Sequence, residues 1–107
     1  MSFKRWGYEF DGRYLKPDYL QDAAGVYVVW CENMDDLFVL DVGQSGNVKE
    51  RLQSHERLDC WFCHCLDGQV CYSATYTYNL PEGNRIQIEQ LIRQLTKPLC
   101  SERLLIG

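Results

Sequence analysis

Arg51 and His55 are four residues apart in a stretch that reads as a helix, so both side chains project from one face and can address one phosphate. Glu89 falls on a second helical pattern, one residue after Ile88 and two before Leu91, where a carboxylate sits at the core edge. Tyr27 belongs to an apolar strand-like run, and its hydroxyl is a partner for any of the three. An arginine, a tyrosine, a histidine and one carboxylate are parts for phosphodiester hydrolysis. The carboxylate holds a divalent cation, the arginine balances charge on a phosphorane-like transition state, and the tyrosine or histidine handles the proton of the attacking water. Each has a plainer reading when taken singly. A helical Arg or His is usually a solvated surface residue, and a strand Tyr is usually a core aromatic whose hydroxyl reaches the surface.

The elements that must position these residues are legible in the periodicities. Gly25 to Cys31 is a continuous β-branched and aromatic run, as expected of a strand buried on both faces. Glu32 to Asp36 is a polar turn, and Leu37 to Gly43 is a second run of the same kind, so the two predict a hairpin. Gln44 to Asn47 supplies loop and cap chemistry. Asn47 with Glu50 resembles a capping box and predicts a helix from about Val48 to Arg57, with Val48 and Leu52 facing inward. Leu58 to Gly68 is irregular. Gln69 to Tyr78 alternates with a period of two, which predicts a half-buried third strand. After the break at Asn79 to Gly83, Ile88, Leu91, Ile92 and Leu95 mark a second helix stopped by Lys97-Pro98. Residues 1–24 form a mixed lead-in whose Phe3, Trp6, Tyr8, Phe10 and Tyr14 alternate loosely, as in a strand or an extended segment packed on the domain. No repeat or linker interrupts the chain, so residues 1–107 read as a single domain with its motif-bearing core at 25–100.

The composition narrows the classes. With 107 residues, 46% hydrophobic and 24% charged, the chain fits a globular domain rather than a disordered tail. Its longest apolar run is far short of the ~20 residues that span a bilayer. Lys4 and Arg5 have no apolar segment behind them, so no signal peptide is expected and the chain is read as cytoplasmic. The six cysteines are then expected to be reduced. Cys60-Trp61-Phe62-Cys63-His64-Cys65, with Cys71 beyond, has the C-x2-C opening of a zinc site, for which Cys60, Cys63, Cys65 or His64, and Cys71 would be the ligands. No second C-x2-C or C-x2-H pair follows, so small buried core cysteines are the stronger reading. The formal charge of -4 runs against a phosphate-gripping surface. The deficit is local, however. Gly25 to Gly43 carries Glu32, Asp35, Asp36 and Asp41 with no cation, whereas Asn84 to Gly107 carries Arg85, Arg93, Lys97 and Arg103 against Glu89 and Glu102.

Several separated blocks fall in a familiar order: Gly25-Val26-Tyr27, Asp41-Val42-Gly43, Gln44-Ser45, Asn47 to Leu52 with His55, and Arg85 to Ile92 with Lys97-Pro98. Together they resemble the GIY-YIG nuclease superfamily over residues 25–100. The resemblance implies a small α/β (α+β) domain, a three-stranded antiparallel sheet flanked by helices, and a one-metal hydrolysis of DNA phosphodiesters with Mg2+ or Mn2+. It implies that Tyr27 acts as or relays to the general base, that Arg51 contacts the scissile phosphate, that Glu89 is the metal-binding carboxylate, and that His55 matches a histidine of some branches. Gly43 matches the closing glycine of the second motif, and Gln44, Ser45 and Lys49 extend the substrate-binding set. Three positions depart from the pattern. Asp41 stands in place of the second motif's tyrosine, Cys100 stands where an asparagine often follows the last motif's proline, and no lysine follows Tyr27 within its strand, where several branches carry one. These departures and the acidic balance motivate an alternative, a catalytically inactive binding module of the same fold that recognises a protein or nucleic acid. A related expectation is a partner protein that supplies the DNA affinity.

Overall fold

Gly25–Asn33 forms the central strand, for the reason its composition suggests. Val26, Val28 and Trp30 enter one apolar cluster, while Tyr27, Val29 and Cys31 enter another on the opposite face. The structure is a computed structural model that describes residues 2–34 and 36–100. Asp35 in the expected turn, and Glu102 and Arg103 near the chain end, lie outside the described residues. In chain order the elements are β1 (Ser2–Arg5), β2 (Tyr8–Tyr14), a short 3-10 turn at Pro17–Tyr19, β3 (Gly25–Asn33), β4 (Asp36–Ser45), α1 (Val48–Gln53), α2 (Leu58–Cys63), β5 (Gln69–Tyr76) and α3 (Glu82–Thr96). The strands form one antiparallel sheet in the order β1-β2-β5-β3-β4.

The fold is therefore mixed α+β as expected, but its sheet has five strands rather than three. The additional two come from the lead-in. Trp6 and Gly7 both adopt positive φ at the turn between β1 and β2, which suits a two-residue hairpin. That hairpin sets Phe3, stacked on Phe10, in a T-shaped arrangement with Trp30, and Trp6 stacks on Trp30 with ring centroids 5.6 Å apart. Its attachment to β5 explains a second difference. The hairpin covers the second face of β5, so that Val70, Tyr72 and Ala74 enter one apolar cluster and Cys71 the other, and Val70 through Thr75 are all buried instead of only alternate residues.

The helices also differ in detail. Asn47 caps α1 by accepting from the Glu50 N–H (3.0 Å), but its own N–H donates to Ser45 Oγ (3.0 Å), so only half of the capping box forms. The expected helix from Val48 to Arg57 stops at Gln53, and α2 starts at Leu58 in the segment read as irregular. In α3, Ile92 is buried and Ile88 half-buried, whereas Leu91 and Leu95 are 42% and 59% exposed. The inward stripe of α3 is thus rotated, and it packs along β4 and β3 with its Arg93 and Glu89 edge turned toward Asp41. Lys97 closes the helix in the left-handed region before Pro98.

The cysteines are not all reduced. Cys31 pairs with Cys65 and Cys60 with Cys100, leaving Cys63 exposed and Cys71 buried as free thiols. The set Cys60, Cys63, Cys65, Cys71 does not assemble, because two of its members are committed to different disulfides and Cys71 belongs to the cluster on the opposite face of the sheet. Among the described residues, no helix is long and apolar enough to cross a membrane.

Candidate functional site

The face of the sheet beneath α1 and α2 carries the chemistry. Tyr27 points into it from β3, opposite Gly43 of β4. A Cβ built on Gly43 would overlap the Tyr27 ring and hydroxyl, so only glycine lets the tyrosine lie across that strand. His55 does not sit on the helix with Arg51. It lies in the loop after α1, is 5% exposed, and places its Nε2 2.8 Å from Tyr27 Oη.

The other ring nitrogen identifies the tautomer. His55 Nδ1 accepts from the Arg57 backbone N–H at 3.1 Å, so the neutral ring carries its proton on Nε2 and donates it to Tyr27. The phenol proton is therefore directed away from His55. Burial, reinforced by the charges of Arg51 and Arg57, lowers the His55 pKa to about 4. Burial also raises the Tyr27 pKa well above its ordinary value, with Asp41 and Glu89 adding to the rise and Arg51 and Arg57 opposing it. Tyr27, Arg51, Arg57, Asp41 and Glu89 thus lie in one another's electrostatic field.

The lowered His55 pKa makes a pH prediction. An unfolded histidine takes up its proton near 6.5, whereas the folded chain resists protonation until about 4, so the unfolded state binds more protons between those values. Stability is expected to fall as pH drops from about 6.5 to about 4. In urea unfolding series across that window, His55→Gln should flatten the slope; an unchanged slope would refute the assignment.

Asp41, at the position of the second motif's tyrosine, is turned into the protein. Leu40 is the extra residue of a bulge, since Val29 pairs with Asp41 while Trp30 pairs with Val39. The bulge leaves Asp41 fully buried, where its carboxylate accepts from Arg57 Nε (2.7 Å), Trp61 Nε1 (2.9 Å) and the Val42 N–H (2.9 Å), with Arg93 Nη2 at 3.8 Å. Those oxygens are spent on the protein itself. Asp41 is a structural anion that holds two arginines and a tryptophan in place, and it is neither a ligand site nor a source of repulsion facing solvent.

The remaining candidates are placed as follows. Arg51 makes a two-pronged pair with Glu56 (2.8 and 3.0 Å), which lowers the Glu56 pKa to about 2. Glu89 is half-buried on α3, and burial raises its pKa against the pull of Arg93, whose Nε lies 3.5 Å away. Gln44 accepts from Arg85 Nε at 2.7 Å, and Lys49 pairs with Asp22 at 3.4 Å. Ser45 is committed to the turn that caps α1. Two surface depressions of about 370 and 430 Å3 lie elsewhere, and neither is lined by Tyr27, Arg51 or Glu89. Sequence reasoning missed Arg57, Arg93 and Trp61. The i,i+4 spacing of Glu89 and Arg93 was a readable signal, and so was a lone acid inside the apolar run of β4.

A separate group lies at the end of α2. Ligand atoms of Cys60, His64 and Cys100 are all within 4.8 Å of one another and could hold a metal ion. No family model matches the chain, and searches of the curated proteins and of the solved structures return no match.

Proposed function

We propose that the chain is a metal-dependent endonuclease of the GIY-YIG type, hydrolysing phosphodiester bonds in DNA. The observation that carries this reading is the Tyr27–His55 hydrogen bond, set in the shared field of Arg51 and Glu89. A buried phenol held by a neutral imidazole, with an arginine and one carboxylate nearby, is more machinery than packing needs.

Glu89 fits a cation of the Mg2+ or Mn2+ class. Such ions keep several waters and are held through one or two carboxylates together with substrate phosphates. The half-buried Glu89 carboxylate lies 3.5 Å from Arg93 Nε, and its charge is disfavoured by burial, so a divalent cation would offset a cost already present. When bound there, the ion would polarise a phosphoryl oxygen and acidify its water.

The chain's own residues do the rest. Arg51 exchanges the Glu56 carboxylate for the scissile phosphate, and its planar fork suits both partners. Tyr27 orients the attacking water, with its oxygen fixed by the His55 Nε2 proton and its own proton free to face the reacting groups. Arg57 and Arg93, fixed by Asp41, add positive potential. The net charge of -4 argues for weak autonomous grip, so a partner protein that supplies DNA contacts belongs to the same proposal. The alternative is a binding module that uses the same arginines without cutting.

A plasmid and branched-DNA cleavage assay with Mg2+ or Mn2+ decides. Glu89→Ala and Arg51→Ala should each lose about 100-fold or more in rate, comparable to removing a single transition-state contact. Glu56→Gln, by releasing Arg51 from an exposed pair worth up to about 1 kcal/mol, should lower KM several-fold. Wild-type rates in both alanine variants would sink the enzyme reading, and absence of cleavage by the wild type would favour the binding module.

A further inference from the structure

Cys60 and His64 are four residues apart across the end of α2, where the His64 N–H donates to the Cys60 carbonyl (3.1 Å), so their side chains share a face. Cys100 reaches the same point from beyond α3, and its N–H donates to the Leu40 carbonyl at 2.7 Å. The sulfurs of Cys60 and Cys100 are joined, and the exposed His64 ring stands beside them with all ligand atoms within 4.8 Å. We propose that Cys60, His64 and Cys100 form a redox-gated site for a thiophilic divalent cation of the zinc class, closed in the disulfide form and opened by a dithiol reductant. This inference does not depend on the phosphodiester reading.

Two features make the disulfide a gate rather than a simple staple. Both halves are held in place by bonds other than the disulfide. Trp61, next to Cys60, is anchored to Asp41, and Cys100 is anchored to Leu40, so the two thiols stay close when the sulfur–sulfur bond opens. A tetrahedral thiolate and imidazole set has donor-to-donor edges of roughly 3.3–3.8 Å, so the two sulfurs, bonded in the disulfide form, must part on reduction, while the His64 nitrogen already lies within 4.8 Å of both. The other disulfide differs in access. Cys31 and Cys65 are both buried, whereas Cys60 is half-buried beside buried Cys100, so a reductant reaches the Cys60 sulfur first.

The chemistry balances. A dithiol transfers two electrons and two protons, the Cys60–Cys100 bond breaks to give two thiols, and the reductant closes to its own disulfide. Metal binding then displaces the two thiol protons, leaving two thiolates, the His64 imidazole and a water as ligands. Soft sulfur donors select zinc-class ions over Mg2+, so this site and Glu89 would not compete for one metal.

The test uses the full chain, oxidised or reduced with a phosphine and desalted without oxygen, titrated with Co2+ and followed by the thiolate-to-cobalt absorption and by circular dichroism. The reduced chain should bind one equivalent and the oxidised chain none. His64→Ala, an exposed change that spares the fold, should weaken binding at least ten-fold, while Cys63→Ser should leave it unchanged. The proposal is overturned if the reduced wild type shows no thiolate-to-cobalt band, if His64→Ala binds as tightly as wild type, or if the reduced chain loses its native circular dichroism before metal is added.

Discussion

Asp41→Ala should cost the fold about 4 kcal/mol. The carboxylate is 0% exposed, while the Arg57 and Arg93 side chains it neutralises are 16% and 21% exposed. Breaking a buried pair costs about 3–5 kcal/mol, and the partial exposure of both arginines places this case near the lower bound. The indole N–H of Trp61 then loses its acceptor inside the core, which adds about 1 kcal/mol or more. Against a total of roughly 5–15 kcal/mol for a domain, that is a large fraction. Asp41→Asn, which keeps volume and an acceptor but not the charge, should fall between. Replacing Arg57 by Met in the Asp41→Ala background should recover part of the loss, because one of the two cations that Asp41 faced is gone. Urea unfolding measures all three variants, and a loss below about 1 kcal/mol for Asp41→Ala would remove the carboxylate from its structural role.

Gly43→Ala is the second large effect, about 3 kcal/mol, at the upper end of the range for overpacking. The added methyl meets the ring and hydroxyl of Tyr27, which is 1% exposed and has nowhere to retreat. Displacing that ring also breaks the hydrogen bond to His55. The two positions should therefore be coupled: Tyr27→Ala, costly alone, should cost at least about 1 kcal/mol less when Gly43 is already Ala, because the methyl then fills space the ring vacated. Strict additivity would contradict the contact.

Much of this fold could be read before any coordinates. β3 and β4 follow from the apolar runs, α3 follows as an element from the 3.6-residue spacing though Leu91 and Leu95 are not on its buried face, and Asn47 marks the start of α1. What escaped was non-local. The β1–β2 hairpin turns at Trp6-Gly7 rather than at an Asn-Gly pair, so its pattern was visible but its partner, β5, was not. The early end of α1 at Gln53 depends on His55 folding back to Tyr27, a contact across 28 residues that local propensity does not encode. The candidate site was half legible. Tyr27, Arg51 and Glu89 occupy the expected elements, whereas the pairing of Asp41 with Arg57 and Trp61 required the bulge at Leu40, which no periodicity announces. The cysteine pairing was misjudged because a compartment argument says nothing about which sulfurs the fold brings together.

The bulge has a consequence for dynamics. From Leu40 the chain passes to Asp41, whose carboxylate accepts a hydrogen bond from the Trp61 indole N–H; Trp61 adjoins Cys60, Cys60 is bonded to Cys100, and the Cys100 amide returns to the Leu40 carbonyl. These links close a ring around one buried charge. α2 and residues 97–100 are distant in sequence yet tied to one another through Trp61 and Cys100, both buried, so the opening of either strains the other. Local fluctuations at either place are therefore expected to merge into a single, rarer, cooperative event, with the amides of α2 and of Cys100 exchanging as one unit.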